Sequence, residues 1–400
     1  MGLEFGVARA PLPEPQTIPR RREYGLDWLR VAAFVILIAY HTAVYFAPGP
    51  WFVKNATASS WLVWVMLLFN RWRLPLLFFI SGAGTWFNLR RRGYRSFAWE
   101  RIRRLVLPLA FGMFVVVPPQ VYVERVIAGV HYSSYFEFWG TVFRLVPYPI
   151  GNFAWLHLWF LPYILVYSLV GLPLFAMLRA SAGRTFVAGL ARLCELPGFI
   201  YLLPLPGIAT AIILEPHWPT TLDFIHDWAN VSISFLFFLW GFIICSSERF
   251  LDLLERRRLE FTWVAALMVL LVYGVRMAPV YEAFSSFIPG LQGNIEARRW
   301  ITDAVDGYFA MTMIFALVGW SRCKLNHDSA TLRWATAAVF PFYIAHETIT
   351  VLLGYAWRNW DIGFVVKFSL LFGGTLLGSW LLFECMRHTR FTRALFGMKD

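Results

Sequence analysis

The stretch YGLDWLRVAAFVILIAYHT, residues 24–42, decides the fold class of this chain. It is long and apolar enough to cross the roughly 30 Å of bilayer hydrocarbon as one helix. It nevertheless contains Arg30 and His41, although an arginine at the centre of a membrane helix costs about 2.5–3.5 kcal/mol on insertion scales. Ionisable residues inside a membrane helix usually mark a functional site. The stretch therefore predicts a membrane-spanning helix that carries part of a site.

Similar apolar stretches recur along all 400 residues, of which 58% are hydrophobic and 15% charged. Soluble domains are typically about 45–50% apolar and about 25% charged. The sequence therefore predicts an all-α, polytopic integral membrane protein with about ten transmembrane helices around a central cavity. The predicted spans are residues 26–46, 61–87, 104–124, 156–178, 199–215, 230–246, 261–275, 304–320, 334–355 and 363–386.

Both ends of the chain are predicted to lie in the cytoplasm. Residues 1–23 contain prolines and arginines but no apolar core, so they predict a disordered tail rather than a secretory signal. Residues 24–386 form the predicted membrane domain, and residues 387–400 a second tail. Most of the 36 Lys and Arg residues fall on the side of these tails, which predicts an orientation in the cytoplasmic (inner) membrane. The net charge of +12 thus indicates contact with membrane lipids and no nucleic-acid partner.

Arg30 and His41 lie on one face of the first predicted helix. They are eleven residues apart, so their directions differ by only about 20°, and the helix rise separates them by about 16 Å. Arg30 is then near the cytoplasmic end, while His41 lies beyond the midplane. Asp27 precedes Arg30 by one turn and can pair with it. These residues predict a polar track into the membrane, although for Arg30 alone an interaction with lipid phosphates is an equal alternative.

The second and third predicted helices supply a further set of candidates. The second ends in LPLLFFISGAGTWF, residues 74–87, in which Ser81, Gly82 and Gly84 allow close backbone approach and leave room for a ligand. Arg101 and Arg104 are one turn apart at the start of the third helix. Two guanidiniums on one face suit a phosphate-rich ligand, which they can bind by paired hydrogen bonds. Anchoring to anionic lipid is the alternative for the arginines of this region.

Other ionisable residues fall inside or at the ends of predicted spans. Arg71 and Arg73 in the second span predict an intramembrane contact with substrate or with an acidic residue. His157, at the outer end of the fourth span, and the pair His346–Glu347 in the ninth are candidates for the acceptor side of a site. The alternatives are a structural role at a helix break for the two arginines, helix-end packing for His157 and a polar packing network for His346–Glu347. No spacing of cysteine or histidine predicts a metal site or disulfide framework.

These elements, in this order, resemble the acyltransferase 3 family of integral membrane acyltransferases. The resemblance extends over residues 22–385. Within the family, the segments LDWLRVAAFVILIAYHT and PFYIAHETITVLLGY are most similar in sequence to the glucan biosynthesis protein C branch, which succinylates periplasmic glucans. The motifs that carry the resemblance are Arg30 and His41 in the first helix, Phe79-Ile80-Ser81-Gly82 in the second, Arg101-Ile102-Arg103-Arg104 in the third, HLWFLPY (157–163) and FPFYIAHET (340–348).

The resemblance implies an O-acyltransferase. It implies transfer of an acetyl or succinyl group from cytoplasmic acyl-CoA, as co-substrate, to a hydroxyl of an extracytoplasmic or periplasmic glycan. His41 would be the catalytic base or acyl carrier. No bound cofactor is implied, and a second transfer step would need a partner protein of envelope biosynthesis. The residues expected on the donor side are Arg30, Ser81, Gly82, Arg101 and Arg104.

The residues alone leave two other classes of function open. In a transporter or flippase of glycan or lipid intermediates, Arg30 and His41 would line an ion or substrate pathway. In a membrane sensor or structural subunit, they would do no chemistry. Only an enzyme would show a CoA-dependent acyl modification of the acceptor that is lost when the imidazole of His41 is removed.

Overall fold

The structure is a computed structural model that describes residues 22–288 and 290–398. The predicted disorder of residues 1–23 falls almost entirely outside this part of the chain. The helices are α1 (Tyr24–Phe46), α2 (Trp61–Leu89), α3 (Tyr94–Phe111), α4 (Pro118–Ile127), α5 (Tyr135–Val142), α6 (Phe160–Val170), α7 (Leu172–Arg179), α8 (Ser181–Glu195), α9 (Leu205–Leu214), α10 (Trp228–Cys245), α11 (Glu248–Arg256), α12 (Arg258–Gly274), α13 (Ala278–Ser285), α14 (Ile295–Lys324), α15 (Ala330–Ala356), α16 (Phe364–Met386) and α17 (Arg390–Leu395).

Within these described ranges, seven helices are long and apolar enough to cross a membrane unaided. Three bent pairs pass the same test together, at angles of 50° for α6–α7, 117° for α8 with the segment Phe199–Leu214, and 98° for α12–α13. Counting each pair as one span gives ten. The prediction of an all-α, polytopic membrane protein is confirmed. The seven are α1, α2 from Leu62, the continuous stretch Tyr94–Ile127 formed by α3 and α4, α10, α14, α15 and α16.

Proline and glycine lie at the interruptions. Pro173 and Pro279 are each in the first turn of the second helix of a pair. The α8 pair bends at Pro197 and Gly198, where Gly198 has a positive φ of 79°, and Pro206 lies in the first turn of α9 farther along. Proline has no N–H for the preceding turn and its ring crowds the preceding carbonyl, so it starts a helix well and continues one badly. The predicted spans 156–178 and 199–215 thus contain such interruptions. The structure also adds α8, an amphipathic helix that was outside the predicted spans.

Helix α1 occupies the middle of the bundle, which places His41 there. It contacts α2, α14, α15 and α16. After α16 the chain turns back, and α17 packs against α3. The segment predicted as a cytoplasmic tail therefore includes a short helix attached to the membrane domain.

Two glycines set the distance between α2 and α10. A Cβ atom added at Gly82 would lie 1.8 Å from the Phe238 carbonyl oxygen, and one added at Gly241 would lie 1.9 Å from the Phe79 carbonyl oxygen. Each glycine therefore faces the backbone of the other helix. Small residues at helix contacts are the usual means of close packing in membranes.

Substitution of either glycine by alanine is expected to destabilise the protein. The added methyl group cannot be accommodated without separating α2 from α10, and overpacking of this kind typically costs about 1–3 kcal/mol. Gly84→Ala is a matched control in the same helix, because nothing lies within 4 Å of a Cβ there. We expect a lower melting temperature in detergent for Gly82→Ala and for Gly241→Ala, and an unchanged or higher one for Gly84→Ala. Equal melting temperatures for all three variants would contradict this packing.

Candidate active site

Four ionisable side chains from distant parts of the chain meet beside α1. His41 Nδ1 lies 2.9 Å from His346 Nε2 and 3.0 Å from Glu347 Oε2, both on α15. His157, in the short turn before α6, has its Nδ1 3.8 Å from the same Glu347 oxygen. The structure thus brings together four residues that the sequence indicated separately. Consecutive residues of a helix point about 100° apart, so His346 and Glu347 reach the His41 ring from two directions.

The hydrogen bonds of His346 indicate which of its two ring nitrogens carries the hydrogen. Its Nδ1 lies 2.8 Å from the Tyr343 carbonyl oxygen and 3.1 Å from that of Phe342. Carbonyl oxygens only accept, so Nδ1 carries the hydrogen. In a neutral imidazole the other nitrogen, Nε2, is then an acceptor. His346 therefore offers a lone pair to His41.

This assignment decides which nitrogen of His41 is basic. His41 Nδ1 faces two acceptors, His346 Nε2 and the Glu347 carboxylate, so it must be the donor to both. The lone pair of a neutral His41 is consequently on Nε2, which neither of these contacts uses. A carboxylate that holds Nδ1–H, and would stabilise an imidazolium, is the arrangement that orients the base in a Ser-His-Asp triad.

His157 belongs to a hydrogen-bonded chain that fixes the α15 segment. Its Nε2 donates to the Ile344 carbonyl oxygen at 3.0 Å, so its Nδ1 accepts from Gln120 Nε2 at 3.3 Å. Gln120 Nε2 also donates to the Thr348 hydroxyl at 2.6 Å. Both nitrogens of His157 are thus used inside the protein. Gln120 was absent from the sequence predictions, and its only signal was an amide near the end of the predicted span 104–124.

Of His41, His346 and Glu347, His41 is the most exposed to solvent. The side chain of His41 is 17% exposed, whereas that of Glu347 is 7% exposed and His346 is completely buried. His41 is therefore the group that can contact a reactant, and its two neighbours position it. The predicted acceptor-side roles of His157, His346 and Glu347 stay predictions.

Arg73 lies next to this group without a carboxylate partner among the described residues. It is 2% exposed, and its Nε and Nη1 have no hydrogen-bond partner in that part of the chain. Its Cζ lies 4.0 Å from the centre of the Tyr40 ring, and the Tyr40 and His41 rings are 5.9 Å apart. The Arg73 guanidinium is therefore within about 10 Å of the His41 ring, the sum of these distances. A buried guanidinium with unsatisfied nitrogens is unfavourable unless an anion completes its bonding.

Arg71 has a different environment. Its Nη1 lies 3.2 Å from Asp306 Oδ2, and the same oxygen is 2.5 Å from Arg276 Nη2. Asp306 on α14 thereby ties α2 to the segment after α12. Of the two contacts predicted for Arg71, with substrate or with an acidic residue, the structure contains the second.

The arginines expected on the donor side cluster near the start of α1. Arg30 Nη1 is 3.4 Å from Asp27 Oδ1, which gives the predicted pair. Arg101 Nη2 donates to the Thr85 hydroxyl at 3.2 Å. Arg30 and Arg104 lie near enough to Arg101 for their charges to repel its guanidinium. Such mutual repulsion makes the cluster attractive to a polyanion.

The other two residues expected on the donor side lie elsewhere on α2. The Ser81 hydroxyl donates to the Leu77 carbonyl oxygen at 2.8 Å, inside its own helix. Gly82 lies at the α2–α10 contact, where α10 fills the space predicted for a ligand. Neither residue is part of the group around His41. Their donor-side roles stay predictions.

The site can also be compared with a metal centre. His41, His346 and Glu347 each present one ligand atom, and these atoms lie within 4.8 Å of one another. Two imidazoles and a carboxylate are a common zinc ligand set. Hydrogen bonds within the group account for the same three atoms without an ion. Treatment with a chelator distinguishes a metal centre from a hydrogen-bonded group.

A histidine–carboxylate pair lies inside a membrane bundle, with Arg30 on the same central helix and Arg101 and Arg104 of α3 nearby, and this arrangement is capable of acid–base chemistry within a membrane. The family model described as an acyltransferase domain matches residues 23–384, and the chain belongs to this family, acyltransferase 3. The prediction of a membrane-bound O-acyltransferase is confirmed. The match covers all the candidate residues named above.

Relatives with assigned names support the same class. Glucans biosynthesis protein C of Salmonella agona (strain SL483) and that of Salmonella paratyphi A (strain ATCC 9150 / SARB42) are each 23% identical to this chain over 351 residues. The aligned part covers 84% of this chain and 85% of each relative. No solved structure shows a significant match.

Proposed function

We propose that the protein transfers an acyl group from cytoplasmic acyl-CoA to a hydroxyl of a glycan on the other side of the inner membrane, with His41 as the general base. The observation that carries this proposal is the proton arrangement of the site. His41 Nδ1 donates to Glu347 and His346, so the partly exposed side chain keeps the lone pair of a neutral imidazole on Nε2. The chain ends lie in the cytoplasm in this proposal.

The proposed reaction is a direct transfer. His41 Nε2 removes the proton of the acceptor hydroxyl, and the oxygen attacks the thioester carbonyl. The bond from carbonyl carbon to sulfur then breaks, and the CoA thiolate receives the proton from the His41 imidazolium. Glu347 stabilises that imidazolium through Nδ1–H. The products are an ester and CoA.

A two-step transfer through an acyl-histidine would use the same nitrogen as nucleophile. The two routes differ in the absence of acceptor. Only the two-step route forms a labelled enzyme when radioactive acyl-CoA is mixed with protein alone. Loss of His41 stops both routes.

The distance between Arg30 and His41 matches the length of the CoA arm, which supports acyl-CoA as the donor. The Arg30–His41 separation along α1 is about 16 Å. The arm that joins the CoA phosphates to sulfur has thirteen bonds, which span about 15 Å when extended. Phosphates at Arg30, Arg101 and Arg104 would therefore allow the thioester to reach His41. The polyanionic end never has to enter the hydrocarbon.

The relatives support a glucan as acceptor, because the two named above are glucans biosynthesis proteins. A glycan hydroxyl would approach from the end of the bundle opposite the arginine cluster. The test is to incubate the purified protein with acetyl-CoA or succinyl-CoA and a linear glucose oligosaccharide of six units, and to determine the mass of the sugar. A gain of one acyl mass supports the proposal. An unmodified sugar, together with transport of the oligosaccharide by proteoliposomes, would instead support a transporter.

Arg73 favours succinyl over acetyl as the acyl group. Its unsatisfied nitrogens would bind the terminal carboxylate of a four-carbon acyl group, which spans about 4 Å between its end carbons. That length, with a hydrogen bond at each end, bridges the distance of at most about 10 Å between the guanidinium and the His41 ring.

Arg73→Met is expected to change the choice of donor. Loss of a charge-assisted contact worth about 1.5–3 kcal/mol lowers kcat/KM for succinyl-CoA by about 10–150-fold. Acetyl-CoA has no carboxylate, so its kcat/KM should stay within a few-fold of the wild-type value. The ratio of the two kcat/KM values is the measurement, and Arg73→Lys should retain part of the preference. An equal fall for both donors would contradict carboxylate recognition by Arg73.

A further inference from the structure

A second candidate binding site lies at the end of the bundle that holds Arg101. A cavity of about 460 Å³ opens there between the end of α2, the start of α3 and the α7–α8 junction. Arg101 donates to Thr85, the immediate neighbour of a residue in the cavity wall, so the cavity adjoins the arginine cluster. The residues that line it are Trp86, Arg90, Tyr94, Ala176, Arg179, Ala180 and Arg184.

The wall of this cavity combines cations with aromatic rings. Arg90 Cζ lies 5.9 Å from the Trp86 ring centre, and Arg179 Cζ lies 5.1 Å from that of Tyr94. Arg184 Nη1 donates to the Arg179 carbonyl oxygen at 2.8 Å, which holds the two arginines together. No carboxylate is among the described lining residues. The cavity therefore suits a ligand that has both phosphate and a flat aromatic ring.

Two of these arginines are available to an anion. In the ranges that the structure describes, Arg184 donates to the Arg179 carbonyl oxygen, and neither arginine forms an ion pair with a carboxylate. Helix α8 also begins at this wall, after Ala180, and no side chain caps its first turn. The free N–H groups and positive dipole end of that helix add to the attraction of the arginines for phosphate.

The cavity and the arginine cluster lie along one face of α3. Tyr94 and Arg101 are seven residues apart, so their directions differ by about 20° and their positions by about 10 Å along the helix. That separation matches the size of a nucleotide, in which base and terminal phosphate lie at opposite ends. A ligand at Tyr94 can therefore extend toward Arg101.

We propose that this cavity binds the adenosine 3′-phosphate end of the acyl-CoA donor; this inference rests on the proposed function. The adenine stacks on Trp86 or Tyr94, and the 3′-phosphate bonds to Arg179 and Arg184. The pyrophosphate then lies toward Arg101, and the arm continues to His41. The donor is thus recognised by its nucleotide as well as by its thioester.

The test compares CoA with dephospho-CoA, which lacks only the 3′-phosphate. Their affinities for the detergent-purified protein are measured by calorimetry for the wild type and for the double variant Arg179→Ala, Arg184→Ala. We expect the wild type to bind CoA at least 10-fold more tightly than dephospho-CoA, and the double variant to bind both equally. Arg192→Ala is the matched control, because Arg192 is an exposed arginine of α8 outside the cavity wall. Adenosine 3′,5′-bisphosphate should compete with CoA in the wild type only.

The outcomes separate this proposal from the proposed function. If the double variant keeps the wild-type preference for CoA, the cavity is not the nucleotide site, although the acyl transfer can still stand. If the wild type neither binds nor consumes acyl-CoA, both proposals fail. A third outcome would show that the cavity binds lipid headgroups and that the proposal is wrong. In it, the wild type melts at a higher temperature in phosphatidylglycerol nanodiscs than in phosphatidylcholine nanodiscs, and the double variant loses this difference but keeps the preference for CoA. Acyl-pantetheine, which lacks the nucleotide, should be used equally well by wild type and double variant.

Discussion

His41→Ala is expected to lower the rate of acyl transfer by about 10²–10⁴-fold, the contribution typical of a positioned general base. Without the imidazole the Nε2 lone pair is lost, and His346 is a poor substitute because it is completely buried and its Nε2 faces α1. The measurement is the initial rate of ester formation at saturating acyl-CoA and oligosaccharide. Binding of CoA should change little, since the arginine cluster is about 16 Å away along α1.

Two controls make this result specific. His388→Ala removes an exposed histidine near the end of the chain and should leave the rate unchanged. Addition of a chelator to the wild type should also leave the rate unchanged, because the account assigns His41, His346 and Glu347 to proton transfer. Full activity of a folded His41→Ala protein would show that another group is the base. Loss of wild-type activity with the chelator, restored by zinc, would assign these residues to a metal.

Glu347→Gln is expected to have the second largest effect, a loss of about 10²–10⁴-fold. The carboxylate accepts from His41 Nδ1 at 3.0 Å and thereby keeps the lone pair on Nε2. A carboxamide is neutral and can present N–H instead, so it neither fixes this tautomer nor stabilises the imidazolium. In a Ser-His-Asp triad the equivalent change lowers kcat by about 10⁴.

The Glu347→Gln effect should fall on kcat and leave CoA binding intact. Glu347→Asp retains the charge but shortens the side chain, so an intermediate rate is expected. Glu282→Gln, at an exposed position on α13, is the matched control for loss of a carboxylate. The account of His41 orientation is wrong if Glu347→Gln is as active as the wild type while His41→Ala is inactive.

Helical periodicity explains what the sequence could predict. Arg30 and His41 are eleven residues apart within one apolar stretch, so their common face follows from the geometry of a single helix. The pairing of Arg30 with Asp27, one turn earlier, follows from the same local geometry. The spans were recognisable because a bilayer requires long apolar helices.

The site itself depends on contacts that periodicity does not encode. His41 and His346 are 305 residues apart, and their 2.9 Å contact exists only because α1 packs on α15. The one sequence signal of Gln120, an amide in an apolar span, did not indicate its role, because that role is to join His157 to Thr348 across three segments. A glycine such as Gly82 is compatible with either a bound ligand or a closely packed helix, and in the structure the neighbour is α10.

Release of CoA thiol reports whether acyl transfer from CoA depends on the imidazole of His41. The wild type and His41→Ala are purified in detergent, given succinyl-CoA or acetyl-CoA, and assayed with and without a glucose oligosaccharide. We expect acceptor-dependent thiol release by the wild type and its loss in a His41→Ala protein that still binds CoA. Equal release by the two proteins, or none by a wild type that folds and binds neither donor, would contradict it.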